Sequence, residues 1–188
     1  MASSQYDILL CSETLVSDSR HVSELLVPGF GRPVLLCRGR IPRARGMAAY
    51  VRDGYGAFRQ PKFECGCREM LVFRVCDVRQ DLYDVSSPYR NADLDDRMFD
   101  CLLTPMAAVL AEDVRASFLF VSHLNSHQQE WLGSTTTNRH CAAAFDFASV
   151  SGCEQFVGPT HARSGTLNLL MTDVPACPSM GCCCSSYR

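Results

Sequence analysis

The apolar residues of the chain fall into short runs, several of which alternate with polar residues as half-buried β-strands do. Seven segments show this pattern: Asp7–Cys11, Gly46–Val51, Glu69–Cys76, Leu82–Val85, Ala116–Val121, Gln155–Val157 and Thr166–Met171. Three others have helical spacing or helix-capping residues: Ser19–Leu26, Asp93–Glu112 and Asn138–Val150. Strands mixed with two or three helices predict an α/β or α+β domain, in which helices cover the outside of the sheets.

Polar residues stand directly beside several of these predicted strands. Glu13 follows the first one, and His123 and Asn125 follow the apolar run Phe118–Val121. In α/β enzymes the catalytic side chains commonly lie at the edge of the sheet, just beyond the strand ends. On spacing alone, however, an exposed loop residue is the better interpretation of Glu13.

The length and composition predict one globular domain with a substantial core. The chain has 188 residues, of which 47% are hydrophobic, and its net charge is −2. That charge gives no basic field for non-specific nucleic-acid binding, and the arginines of segment 38–45 are interpreted as a solvated loop. We predict a domain over residues 1–173 and a disordered, cysteine-rich tail over residues 174–188.

Twelve cysteines raise the question of a disulfide scaffold. The first residues do not resemble a signal peptide, and several cysteines lie in apolar runs, so we expect a reduced intracellular protein. The sequence leaves open whether it is nuclear or cytoplasmic, and its oligomeric state. No apolar run reaches the ~18 residues of a membrane-spanning helix, so no membrane association is predicted.

Five segments in a fixed order resemble motifs of one known family. They are Asp7–Thr14, Gly46–Gly54, Tyr89–Leu94, Leu124–Trp131 and Pro159–Thr166. Together they resemble the endonuclease/exonuclease/phosphatase superfamily, and most closely the endonuclease domain that accompanies reverse transcriptase in non-LTR retrotransposons. The resemblance extends from about Asp7 to Asp173. It implies a four-layer sandwich of two mixed β-sheets flanked by helices, here lacking the terminal strands.

The resemblance also implies an activity and the residues that carry it. Family members hydrolyse phosphodiesters of DNA with Mg²⁺. Glu13 matches the metal-binding glutamate, Tyr89 a tyrosine facing the scissile phosphate, and Asn125 an asparagine that positions the phosphate or the attacking water. The residues matching substrate-binding positions are His127, Trp131, Thr160, His161 and Arg163.

The chain departs from the family at two catalytic positions. His123 and Asn168 stand where the family has aspartates, and the closing Ser-Asp-His motif has no counterpart after the last predicted strand. Asn has no basic lone pair of useful pKa, and His is a poor ligand for Mg²⁺. We therefore expect weak or absent Mg²⁺ binding and impaired catalysis.

Three other interpretations stay open. His123 and His127 could form a transition-metal site with Glu13, or be ordinary polar loop residues. The chain could be a non-enzymatic remnant that binds nucleic acid or protein. It could also be an expressed fragment without a selected function.

Overall fold

Two β-sheets and two helices make up the described part of the chain, which in this computed structural model comprises residues 6–16, 22–37, 46–64, 69–89, 100–123, 139–156 and 168–174. The strands are β1 Ile8–Ser12, β2 Val34–Leu36, β3 Met47–Val51, β4 Gly56–Arg59, β5 Glu69–Cys76, β6 Leu82–Tyr89, β7 Ser117–His123, β8 Glu154–Gln155 and β9 Asn168–Thr172. The helices are α1 Asp100–Glu112 and α2 Arg139–Val150, and short 3₁₀ turns lie at Val22–Leu25 and Pro61–Phe63.

The small sheet has three antiparallel strands in the order β1-β3-β2. Its central strand, β3, is almost entirely buried, and Met47, Ala49 and Val51 point toward the large sheet. Ala49, at the centre of that face, is fully buried, and its small side chain suits the close packing of the two sheets.

The large sheet has six strands in the order β4-β5-β6-β7-β9-β8. All neighbours are antiparallel except β6 and β7, which are parallel. A parallel pair needs a long crossover, and the segment containing α1 supplies it. This mixed sheet confirms the predicted α+β class, although the small sheet, as described, is purely antiparallel.

The large sheet is covered on both faces. On one face, Met70, Val72 and Phe120 pack with residues of α1 and α2. On the other, Leu71 and Phe73 pack against the small sheet. The described residues therefore form three layers, namely helices, large sheet and small sheet, and β5 reads as a continuous apolar run because both of its faces are buried.

Each helix presents one face to the large sheet. Leu102, Met106 and Val109 of α1 are buried and lie about one turn apart along one stripe. Ala144 and Ala148 do the same in α2. This helix ends at Val150, and Gly152 in the turn that follows has the left-handed conformation (φ 66°) common after a helix C-terminus.

Several predicted boundaries were wrong at the strand ends. The strand predicted to end at Val85 continues as β6 to Tyr89, and the strand predicted to end at Val121 continues as β7 to His123. The predicted helix Ser19–Leu26 is, in its described part, only the turn Val22–Leu25. Strands β2 and β4 were missed because three or four residues are too few to show a period.

Two predictions about whole segments stay untested. The domain boundary near Asp173 and the tail over 175–188 lie at or beyond the edge of the described residues. Among the helices that the structure does describe, none is long and apolar enough to cross a bilayer.

Candidate functional site at one end of the two sheets

Glu13 lies at the end of β1, between two points of attachment to β3. Ser12 pairs with Met47, and the Thr14 amide donates to the Gly46 carbonyl oxygen at 3.2 Å. Between them the backbone of Glu13 adopts a left-handed conformation (φ 54°), which is uncommon for a residue with a side chain and tends to occur at functional sites. Glu13 is exposed, as a residue that meets a substrate must be.

Tyr89 is the residue of the large sheet that contacts Glu13. It is the last residue of β6, it is 5% exposed, and its ring belongs to the core between the sheets. Its hydroxyl donates a hydrogen bond to Oε1 of Glu13. Two residues that are 76 positions apart in sequence therefore meet at this end of the sheets.

Four polar positions lie in register across the large sheet beside this contact. Glu69 is opposite Tyr89, Tyr89 is opposite His123, and His123 is opposite Asn168. We call these four the polar row. Neighbouring strands are about 4.8 Å apart, so the row spans about 14 Å. Backbone alternation puts all four positions on the face that meets the small sheet, because Leu71, Val85 and Leu119 share that face.

Glu69 is the residue of the row that the sequence analysis overlooked. It is 6% exposed, and its Oε1 accepts the amide N–H of Gly46 at 2.7 Å. A signal was present, because Glu69 is a carboxylate at the start of a long apolar strand. The criterion applied to Glu13, an acid at a strand end, would have found it.

The described residues do not complete a Mg²⁺ site. Glu13 offers one carboxylate, and its Oε1 already accepts the hydroxyl of Tyr89. In the described ranges no group of three or more His, Cys, Asp or Glu side chains is placed to hold a metal ion. Mg²⁺ is commonly held by one or two carboxylates, with water and phosphate oxygens completing its octahedron, so Glu13 is a donor of the kind that this ion takes.

The other predicted residues divide into two groups. His123 and Asn168 are brought to the polar row by the register of β7 and β9. The remaining predicted residues lie outside the described part of the chain: Asn125, His127, Trp131, Thr160, His161 and Arg163. Their roles, and the alternative transition-metal site with His127, stay predictions.

Comparison with solved structures identifies the architecture. The endonuclease domain of TRAS1, a telomere-specific non-LTR retrotransposon, superposes with a TM-score of 0.63 at 14% identity, over 89% of this chain and 72% of that one. The catalytic domain of Xenopus laevis APE2 superposes with a TM-score of 0.54 at 13% identity, over 89% and 74%. No family model and no curated protein matches the sequence. The fold predicted from the resemblance is thus confirmed, since the chain shares it with both of these solved structures.

Proposed function

We propose that this chain is a retrotransposon-derived, endonuclease-like domain, related to Mg²⁺-dependent phosphodiesterases that act on DNA, and impaired in catalysis. The observation that carries the proposal is the hydrogen bond from Tyr89 to Glu13 at the end of the polar row. The fold shared with the TRAS1 endonuclease domain supports the descent and the DNA substrate class.

The Glu13–Tyr89 pair suits phosphate chemistry. The phenol of Tyr89 has one hydrogen, which it donates to Glu13 without substrate and would turn to a phosphate oxygen on binding. The carboxylate of Glu13 could then hold a cation near that oxygen. The hydrogen bond sets the distance between the two groups before any substrate arrives, so less ordering is needed on binding. In the proposed site these two side chains receive the scissile phosphate.

The reason for impaired catalysis is the composition of the rest of the polar row. Hydrolysis of a phosphodiester needs a group that deprotonates or orients water, and groups that neutralise the developing charge. Positions 123 and 168 carry histidine and asparagine, so neither adds a negative oxygen for a metal. Because these two positions add no carboxylate to that of Glu13, we expect the chain to hold Mg²⁺ weakly or not at all.

A nicking assay on supercoiled plasmid with Mg²⁺ tests the proposal, with Glu13→Ala as the matched control and EDTA as the metal-free control. We expect no more nicking from the unaltered chain than from Glu13→Ala. Robust nicking that Glu13→Ala abolishes would show that the catalytic part of the proposal is wrong.

A non-enzymatic DNA-binding role is the second candidate. It is favoured by the retained Glu13–Tyr89 contact in a row without carboxylates at positions 123 and 168. Fluorescence anisotropy with a labelled DNA duplex at low and high salt separates the two. Salt-sensitive binding without nicking supports this role, whereas absence of binding at low salt would contradict any DNA function.

A further inference from the structure

Glu69 has a buried carboxylate to which the proposed chemistry assigns no role. Burying a carboxylate is costly unless hydrogen bonds satisfy its oxygens. Here Oε1 accepts the N–H of Gly46, the residue immediately before β3, at 2.7 Å. This contact joins the start of β5 in the large sheet to the start of β3 in the small sheet.

The contact is part of a closed circuit that leads back to Glu69. The carbonyl oxygen of Gly46, in turn, accepts the amide of Thr14 at 3.2 Å. Thr14 follows Glu13, whose carboxylate accepts the hydroxyl of Tyr89. Tyr89 is the direct partner of Glu69 in the ladder between β5 and β6.

We propose that Glu69 is a positioning residue: by holding Gly46, it sets the place of Thr14 and so aims the carboxylate of Glu13 at Tyr89. Glu13 sits in a left-handed conformation that is not intrinsically favoured, so its position must be imposed by neighbouring contacts. On the C-terminal side of Glu13, the hydrogen bond from Thr14 to Gly46 fixes the backbone. Gly46 is itself held by its hydrogen bond to Glu69. That the aimed pair serves phosphate binding rests on the proposed function, whereas the positioning itself does not.

The proposed positioning of Gly46 depends on the length of the Glu69 side chain, and not on its charge. Glutamine keeps an acceptor oxygen at the same distance along the side chain, so Glu69→Gln preserves the bond to Gly46. Aspartate keeps the charge but is one methylene shorter, so Glu69→Asp withdraws the acceptor from an amide at 2.7 Å. The two variants therefore separate reach from charge.

NMR of the folded full chain tests the inference through two readouts, the hydrogen exchange of the Gly46 and Thr14 amides and the ¹³Cζ shift of Tyr89. In Glu69→Gln, both should stay at their original values. In Glu69→Asp and Glu69→Ala, exchange should rise about fivefold or more, and the Tyr89 shift should move to its value in Glu13→Ala, where the pair is absent.

Glu64→Ala is the matched control. Glu64 is also a largely buried carboxylate that accepts a backbone amide, that of Val72 at 3.3 Å, but it lies outside the circuit. It should leave the Thr14 and Tyr89 signals unchanged. The inference is overturned if Glu64→Ala moves them as Glu69→Ala does, if Glu69→Asp behaves as the original chain, or if Glu69→Gln does not.

These readouts are independent of nuclease activity and DNA binding. If the amide exchange and the Tyr89 shift do not change as expected in Glu69→Asp, the positioning role is refuted. The plasmid and anisotropy results are unaffected by that outcome. Absence of DNA binding would refute the proposed function and leave the circuit in place. If Glu69→Ala does not fold, the comparison of Glu69→Gln with Glu69→Asp still decides.

Discussion

Tyr89 belongs both to the core between the sheets and to the site at their end. Its ring is buried among apolar side chains, while its hydroxyl reaches the exposed residue Glu13. A tyrosine suits such a boundary because its body is apolar and its tip is polar. The same side chain therefore supports the fold and presents a donor to the candidate site.

Removing only the hydroxyl should separate these two contributions. Tyr89→Phe keeps the packing and loses the hydrogen bond to Glu13, which we expect to lower the free energy of unfolding by about 1 kcal/mol. Urea denaturation measures it. Tyr83→Phe, on the same face of β6, is the control and should change stability by less than about 0.5 kcal/mol. Equal losses in both variants would argue against a specific contribution from the Glu13 contact.

Positions 123 and 168 allow a test of the metal-binding prediction. The double variant His123→Asp, Asn168→Asp adds two anionic oxygens to the polar row beside Tyr89. Because Mg²⁺ prefers such ligands, we expect its affinity to rise, by tenfold or more as an order of magnitude. Isothermal titration calorimetry checks this against the unaltered chain. Unchanged binding would mean that these positions do not face the metal.

At the scale of elements, β5 is the strand on which both cores are built. Its even-numbered residues Met70 and Val72 pack toward the helices, and its odd-numbered residues Leu71, Phe73 and Val75 pack toward the small sheet. β4, its neighbour at the sheet edge, is more exposed. Equivalent substitutions in the two strands should therefore have very different effects.

Phe73→Ala and Phe58→Ala make this comparison with the same chemical change. Phe73 is 0% exposed and Phe58 is 63% exposed. Truncating a buried phenylalanine removes apolar burial and leaves a cavity, so we expect Phe73→Ala to cost about 3–5 kcal/mol. Phe58→Ala should cost less than about 1 kcal/mol. Urea denaturation gives both values, and similar midpoints for the two variants would contradict the assignment of β5 to the core.

At the scale of the whole molecule, polar contacts join the two sheets in addition to the apolar core. Two of them belong to the candidate site, Tyr89 to Glu13 and Gly46 to Glu69. A third is formed by Arg59 of β4, which donates to the carbonyl oxygen of Leu35 in β2 at 2.8 Å. Its hydrogen bonds to Glu64 raise the pKa of Arg59 above the usual value, so it stays charged.

Arg59→Met should weaken the junction of the sheets. It leaves the largely buried Glu64 without its cation and the Leu35 carbonyl without this donor. We expect a loss of about 2–3 kcal/mol in the free energy of unfolding. Arg115→Met is the control, since Arg115 is 80% exposed beside Asp113 and a surface ion pair contributes little to stability. Equal urea midpoints for both variants would show that the Arg59 contact is not important.

Local pattern was sufficient for the longer elements and for part of the site. Glu69–Cys76 was predicted with the boundaries that the structure shows, and α2 was predicted within one residue at its start. Such segments carry their own period, cap or breaker, so neighbouring residues determine them. The order of motifs was also enough to predict the fold and to single out Glu13 and Tyr89, which the structure brings into contact, while their roles stay predictions.

Only the tertiary structure decided which residues meet. The register of four strands brings Glu69 into line with Tyr89, His123 and Asn168, and the packing of two sheets brings Glu13 onto Tyr89. Pairing between distant strands depends on the burial of whole faces, which a local pattern does not encode. The hydrogen bond from the Gly46 amide to the carboxylate of Glu69, 23 residues away in sequence, is therefore a property of the tertiary structure and not of the local pattern.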